Sequence, residues 1–370
     1  MKKNLLNEVE EVLLMGPGPS SVPESVYRAL STKTISHLDP YFIIIMDDLK
    51  SLLRKLCKTD NKITFPISGT GSAGMETCFV NLIEKGDNIL VLKNGVFGDR
   101  MEEVATRLGA NVDSIGYEWG KPVIFDDVKN KFESKEYKIV AMVHAETSTG
   151  VLNPVKEVGK LTKNSNSLFL VDAVVSLGGM DVQVDDWCID AMYSGSQKCI
   201  SCPPGLAPVS FSNRAVNTIL NRRSKVPNWY LDISMILSLW DGNKRVYHYT
   251  APVNMIYGLY QAVWNIMEEG LETVFNRHSN SQELLIEGLT NLGFELFVDE
   301  HHRLPMVTVV NVPEGLYEGR IRDKLRSECK IEIGAGLGSM AGKVWRIGLM
   351  GHTAREENVE RLLKCLKNFL

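Results

Sequence analysis

Between residues 62 and 212, short apolar runs alternate with longer segments of mixed polarity. The runs predict strands at Ile63–Ile67, Asn88–Leu92, Asn111–Gly116, Lys138–Val143, Leu168–Val171, Ala191–Ser194 and Ala207–Phe211. Several are apolar throughout rather than at every second position, which is the pattern of strands buried on both faces. The segments between them, for example Gly74–Leu82 and Phe97–Leu108, read as helices, as do 23–31 and the amphipathic 40–57 upstream. Such a β-α-β succession predicts a mostly parallel, doubly wound sheet.

Residues 213–254 carry breakers at Pro227, Asp241-Gly242 and Pro252 and read as loop-rich. Beyond them the pattern predicts helices at Val253–Glu269 and 271–291, strands at Phe294–Phe297 and Met306–Asn311, a helix at 318–328, a strand at Val344–Leu349 and a closing helix at 355–369. The expected organisation is an N-terminal segment (1–15), a large α/β domain (16–254) and a smaller C-terminal α+β domain (255–370). Two successive Gly-Pro pairs, Gly16-Pro17-Gly18-Pro19, impose an irregular turn where the first two meet. No internal repeat or low-complexity tract interrupts the chain.

Composition narrows the function classes. The 370 residues are 44% hydrophobic and 23% charged, an ordinary globular balance, and the net charge of −4 offers no basic field for nucleic acid or an anionic membrane surface. No apolar run approaches the roughly 18 residues of a membrane span. The acids Glu8, Glu10 and Glu11 near the N-terminus, and the C-terminal Lys367-Asn368-Phe369-Leu370, match no targeting signal, so a cytoplasmic location is expected. Seven cysteines without framework spacing are expected to be reduced thiols. Cys199 and Cys202 have C-x-x-C spacing, but no second pair completes a zinc site, and small buried side chains are the plainer reading.

The candidate chemistry centres on Lys198. It ends the small, polar turn Ser194-Gly195-Ser196-Gln197-Lys198 after an apolar run, and a second run, Leu168-Phe169-Leu170-Val171, ends in Asp172. A lysine that can form a Schiff base with an aldehyde, paired with an aspartate that can hold a pyridinium nitrogen, is what a pyridoxal phosphate enzyme requires. An apolar strand ending in Asp is also compatible with simple capping. Ser68-Gly69-Thr70-Gly71-Ser72-Ala73-Gly74 follows a strand and opens a helix, where exposed N–H groups favour an anion. The phosphate of a small cofactor is the favoured reading. Gly69 to Gly74 also spells G-x-G-x-x-G, but the next strand ends in Lys93-Asn94-Gly95 instead of the acid a dinucleotide ribose requires.

Three further positions join this group. Phe97 follows the strand ending at Leu92 and can stack on a flat ring at the carboxyl edge of the sheet, although an isolated Phe is usually core. Glu146-Thr147-Ser148-Thr149-Gly150 places hydroxyls at the same edge, where ordinary turn chemistry is the alternative. Arg346 lies inside the apolar run Val344–Leu349, so its guanidinium needs a partner. A substrate carboxylate and an internal acid are the two candidates.

Together these motifs resemble the class V, fold-type I aminotransferases, especially the alanine–glyoxylate and serine–pyruvate group. The resemblance runs from Gly16-Pro17-Gly18-Pro19 to Gly342-Lys343-Val344-Trp345-Arg346-Ile347-Gly348. It implies pyridoxal 5′-phosphate bound through Lys198, with Asp172 on the ring nitrogen and Phe97 stacked on the ring. Thr70, Gly71, Ser72 and Gln197 are implied at the phosphate, and Thr147 near the cofactor hydroxyl. Arg346 is implied at the substrate carboxylate, helped by backbone at Gly18. Tyr247 and Thr250 match residues that reach the phosphate from a neighbouring subunit, which implies a homodimer with shared sites. Phe97 stands where the alanine–glyoxylate branch often has Trp, Ala73 and Gly74 replace bulkier residues, and Ala145 replaces the usual Gly. The expected reaction is a ping-pong transamination between a small, alanine- or serine-like amino acid and a 2-oxo acid, glyoxylate or pyruvate. The rivals are a lyase or decarboxylating enzyme on the same scaffold and, more distantly, a nicotinamide-dependent dehydrogenase. A cysteine desulfurase needs a nucleophilic Cys on a mobile loop, for which Cys329, in a helix-like stretch, is poorly placed.

Overall fold

The apolar runs assemble into two sheets of unequal size in the computed structural model, which describes residues 4–240 and 245–370. The Asp241-Gly242 turn and residues 1–3 lie outside the described residues. The chain opens with β1 (Leu13–Met15), α1 (Glu24–Leu30) and α2 (Pro40–Cys57), then runs through β2 (Ile63–Ser68), α3 (Gly71–Leu82), β3 (Asn88–Lys93), α4 (Val96–Arg107), β4 (Asn111–Gly116) and α5 (Phe125–Ser134). Next come β5 (Ile139–Val143), the small hairpin β6 (Ala145–Glu146) and β7 (Val151–Leu152), α6 (Val155–Thr162), β8 (Leu168–Asp172), β9 (Ala191–Tyr193) and β10 (Leu206–Phe211). The remainder is α7 (Asn213–Leu220), α8 (Ile233–Trp240), α9 (Val253–Glu269), α10 (Leu271–Asn291), β11 (Val307–Asn311), α11 (Glu318–Glu328), β12 (Ile331–Ala335), β13 (Val344–Gly348) and α12 (Glu356–Phe369).

The large sheet has the order β2-β10-β9-β8-β5-β3-β4. β9, β8, β5, β3 and β4 run parallel, while β10 is antiparallel to both its neighbours. β5, β8 and β10 are buried at every position, which is why they read as unbroken apolar runs. β4, at the sheet edge, leaves Asn111, Ser114 and Gly116 exposed. This topology brings the loops after β3, β5, β8 and β9 to one edge, the place where open α/β sheets bind ligands.

The small sheet has the order β1-β12-β13-β11, with β1 parallel to β12 in the register Leu13↔Ile331 and Met15↔Ile333. The N-terminal segment is therefore a strand of the C-terminal unit, and Met15 packs in its core with Leu285, Trp345 and Leu362. α9, which lies beyond the expected boundary at 254, packs against α1 and α2 and buries Ile256, Leu259 and Val263 in the larger core. α10 begins in that core at Val274 and ends in the smaller one at Leu285 and Leu289.

Four sequence expectations need correction. Residues 213–254 hold two helices: α7, whose N-cap Ser212 accepts from Ala215 N at 3.2 Å, and α8, too short and too uniformly apolar to show a period. Phe294–Phe297 forms only a single bridge, Leu296 to Val310, rather than a strand. β1 and β12 were not expected, being three and five residues long. Finally, Cys329 and Cys365 are joined in a disulfide, Cα to Cα 6.6 Å, tying the end of α11 to α12. Spacing alone carries no pairing information. The other five cysteines are free, and among the described residues no helix is long and apolar enough to cross a membrane.

Candidate active site

Lys198 lies in the turn after β9, at the carboxyl edge of the large sheet. Its Nζ donates to Pro17 O, in the strap that leaves β1. The strap is pinned there: Ser20 N donates to Gln197 O at 2.9 Å and Ser20 Oγ to Lys198 O at 2.7 Å. Gly18 has φ +113°, and a Cβ on it would come within 2.6 Å of Lys198 Cδ and 2.8 Å of Cε. Glycine is thus required by both conformation and space. Burial pushes the Lys198 ammonium down to about 8; Cys199 and Asp172 oppose this, while the positive charges of Arg346 and Arg100 add to it.

Asp172 ends β8, paired in register with Val143 of β5 and Tyr193 of β9. It is buried, and its Oδ1 accepts from Val174 N at 2.7 Å. Among the described residues it forms no ion pair, and burial pushes its carboxyl up to about 6 against the opposing pull of the Val174 N–H and Lys198. A cationic N–H placed against it would restore the charged form.

The Gly69–Gly74 loop joins β2 to α3, which begins at Gly71 with Thr70 as its N-cap. The N–H groups of Gly71 and Ser72, in the first helical turn, have no intrahelical acceptor and face the site as anion donors. A Cβ on Gly71 would lie 3.3 Å from Val174 Cγ2 and 3.7 Å from Gly195 Cα, so the loop rests against the turns after β8 and β9. Gln197 completes that wall, and its Oε1 is buried without a hydrogen-bond partner. Thr70 and Ser72 remain exposed.

Phe97 and Gly98 stand at the start of α4, half-buried and buried respectively, with the Arg100 guanidinium 4.9 Å above the Phe97 ring. Glu146 reaches this turn from β6. Its Oε2 accepts from Phe97 N at 3.2 Å and Gly98 N at 3.4 Å, and its Oε1 accepts from Ser148 N at 3.0 Å and Ser148 Oγ at 2.5 Å. Burial pushes Glu146 up to about 7, opposed by the Ser148 hydrogen bonds. Thr147, between them, is buried and accepts from Arg346 Nη1 at 3.2 Å, while Arg346 Nε donates to Ala335 O at 2.7 Å. Among the described residues no carboxylate pairs with Arg346, so the internal-acid alternative falls and part of its fork stays available to an anion.

Tyr247 and Thr250 stand apart from this group. They are exposed just ahead of α9, Tyr247 Oη lies 3.3 Å from Thr250 Oγ1, and neither bonds to the Gly69–Gly74 loop. His144 is a core residue, edge-on to Trp187 at 5.1 Å. Cys199 and Cys202 are buried thiols pushed up to about 12 by burial, unsuited to nucleophilic or thiolate roles at neutral pH. Cys329, engaged with Cys365, is no nucleophile either. Sequence reasoning assigned no role to Glu146, Arg100 or Ser20, and read Ser148 only as one of the hydroxyls at the sheet edge. An acid directly after an apolar strand is a signal for Glu146, since its burial demands donors, whereas Ser20 carries no comparable signal.

The arrangement can hold a phosphate at the start of α3, a protonated ring nitrogen at Asp172, and a flat ring beside Phe97. It can hold a carboxylate at Arg346 and a carbonyl carbon at the largely deprotonatable Lys198. A family model described as aminotransferase class-V matches residues 14–362. The (S)-ureidoglycine–glyoxylate transaminase of Bacillus subtilis (strain 168) is 38% identical, the alignment covering 96% of this chain and 90% of that protein. The alanine–glyoxylate aminotransferase of Rattus norvegicus is 38% identical, with 97% and 87% covered. The crystal structure of an alanine–glyoxylate aminotransferase from Nostoc sp. matches with a TM-score of 0.95 and 41% identity, over 100% of this chain and 99% of that one.

Proposed function

The chain belongs to the class V aminotransferases, and from that premise we propose that it moves an amino group from a small amino acid to glyoxylate or pyruvate, with pyridoxal 5′-phosphate held at Lys198. The observation that carries this reading is a buried lysine with a lowered pKa, in electrostatic reach of a buried, unpaired aspartate. The residues fit the cofactor. Its phosphate would take the N–H groups of Gly71 and Ser72, the hydroxyls of Thr70 and Ser72, and the side-chain amide N–H of Gln197. Thr147 would neighbour the ring hydroxyl. Bound there, the cofactor supplies an aldehyde carbon for the lysine and an electron-withdrawing ring that acidifies the amino acid Cα–H.

Asp172 holds the ring nitrogen protonated, which keeps the ring withdrawing, and Phe97 limits its tilt. Arg346, with two backbone acceptors already in place, grips the substrate carboxylate through its remaining donors, while the Gly18 backbone leaves room beside Lys198. Lys198 Nζ, its pKa lowered to about 8 by burial, would take the Cα proton and hold it for return, as a general base and then acid. Both named curated relatives use glyoxylate, which supports it as the acceptor.

A homodimer belongs to the same proposal, with Tyr247 and Thr250 reaching the phosphate of the second copy. What supports it is that Tyr247 is 57% exposed and Trp229 59%, and that the buried His248, whose ring lies 4.3 Å from that of Trp229, has no partner for either ring nitrogen among the described residues. The test is a screen of alanine, serine and (S)-ureidoglycine against glyoxylate and pyruvate. Donor alone should bleach the visible band of the cofactor and acceptor alone restore it. Ammonia release without bleaching would replace transfer with elimination.

A further inference from the structure

The first three N–H groups of α4 all end on two side chains from β6 and its turn, some fifty positions later in sequence. Phe97 N and Gly98 N donate to Glu146 Oε2, and Val96 N donates to Ser148 Oγ at 3.0 Å, which itself donates to Glu146 Oε1. The helix has no cap of its own, because its N-cap is Gly95. A Cβ at that glycine would come within 2.5 Å of Glu146 Cγ, so the backbone of the turn lies directly on this side chain. Glu146 is fully buried and, among the described residues, has no ion pair. Its charge is met by the donors and by the positive end of the helix. The adjacent Thr147 carbonyl is one of the two acceptors that aim Arg346.

We propose that Glu146 is a positioning residue: one buried carboxylate fixes the tilt of Phe97 against the cofactor ring and, through Thr147, the aim of Arg346 at the substrate. This rests on the reading of Phe97 as the ring that faces the cofactor. Burial pushes the Glu146 carboxyl up to about 7, and the N–H groups and hydroxyl it accepts from favour the charged form against that push.

The experiment is titration of apo-protein with pyridoxal phosphate, followed by tryptophan fluorescence and visible absorbance, for wild type, Glu146→Gln, Phe97→Ala and the double variant. Glutamine keeps the shape but turns an N–H toward groups that themselves donate. Its affinity for the cofactor is expected to fall about tenfold, the scale of a lost charge-assisted hydrogen bond, with a raised KM for the amino donor and a melting temperature close to wild type. The double variant should bind no more weakly than Phe97→Ala alone, because both act through one ring. Ser148→Ala, which removes the Val96 acceptor and the hydroxyl donor to Glu146 Oε1 but leaves the carboxylate, should weaken binding about threefold and serves if the glutamine variant does not fold. Wild-type affinity in Glu146→Gln or Ser148→Ala, or losses that multiply in the double variant, would overturn the proposal. Undiminished affinity in Phe97→Ala would remove both the ring-stacking reading and the route through it. The role of Lys198 is tested separately, since Lys198→Ala must abolish the visible band whatever Glu146 does.

Discussion

Lys198 sits where a chain normally avoids a charge, and the cost of burying it is what tunes it. Folded, it titrates near 8 rather than 10.5, so the neutral amine that attacks an aldehyde appears as pH rises through 8. The rate of pyridoxal phosphate incorporation into apo-protein should climb about fivefold between pH 7 and 8 and less than twofold above pH 9. A tenfold rise per unit up to pH 10 would mean an ordinary, solvated lysine. Gly18→Ala pushes a methyl group into Lys198 and demands a left-handed backbone from alanine, at a cost of about 1–3 kcal/mol. Its visible band should weaken while the far-ultraviolet spectrum stays unchanged. Arg346→Ala should raise the KM for the amino donor about a hundredfold, the scale of a lost buried charge pair, with the cofactor retained; an unchanged KM would remove its role. Lys198, Asp172 and Arg346 were legible because each is a charge beside or inside an apolar run. The turn that holds Pro17 and Ser20 was marked by its Gly-Pro pairs, but its contacts with Lys198 were not, since a carbonyl and a hydroxyl leave no mark on the pattern.

Among the elements, those buried on both faces announced themselves, and those that borrow their stability from distant partners did not. β5 and β8 read as strands from composition alone, whereas β1 is three residues whose pairing with β12 no local pattern encodes. α8 is hidden for the opposite reason, being apolar on nearly every side. The tie between α11 and α12 was equally invisible, and it makes a prediction at this level. Denatured, unreduced protein should label five cysteines of seven, and Cys365→Ser should cost about 4 kcal/mol for the 36-residue separation, read as a lower melting temperature. Seven labelled thiols would return the pair to the reduced state.

At the scale of the molecule, the division into a large parallel-sheet unit and a smaller C-terminal unit follows the pattern read from sequence, but the assignment of segments to the two cores does not. α9 goes to the larger core and β1 to the smaller, because packing answers to apolar faces rather than to chain order. The proposed sharing of a site between two copies makes a further prediction at this scale. Lys198→Ala and Tyr247→Ala, each impaired alone, should recover activity when co-refolded, since a mixed dimer then contains one site with both native residues. No recovery in dimers shown to be mixed would confine each site to a single chain.

The pairing of β1 with β12 also sets an order of events during synthesis. Residues 13–15 leave the ribosome long before their partners at 331–333 are made. Contacts this remote in sequence close slowly. Until they close, the strap carrying Pro17 and Gly18 has no anchor at its leading end, and Lys198 is uncovered. The large unit can therefore fold around Asp172 and the start of α3 while translation continues, but the lysine acquires its finished surroundings only after the last strands arrive. Maturation of the site thus waits on the pairing of β1 with β12 rather than on the folding of the large unit alone.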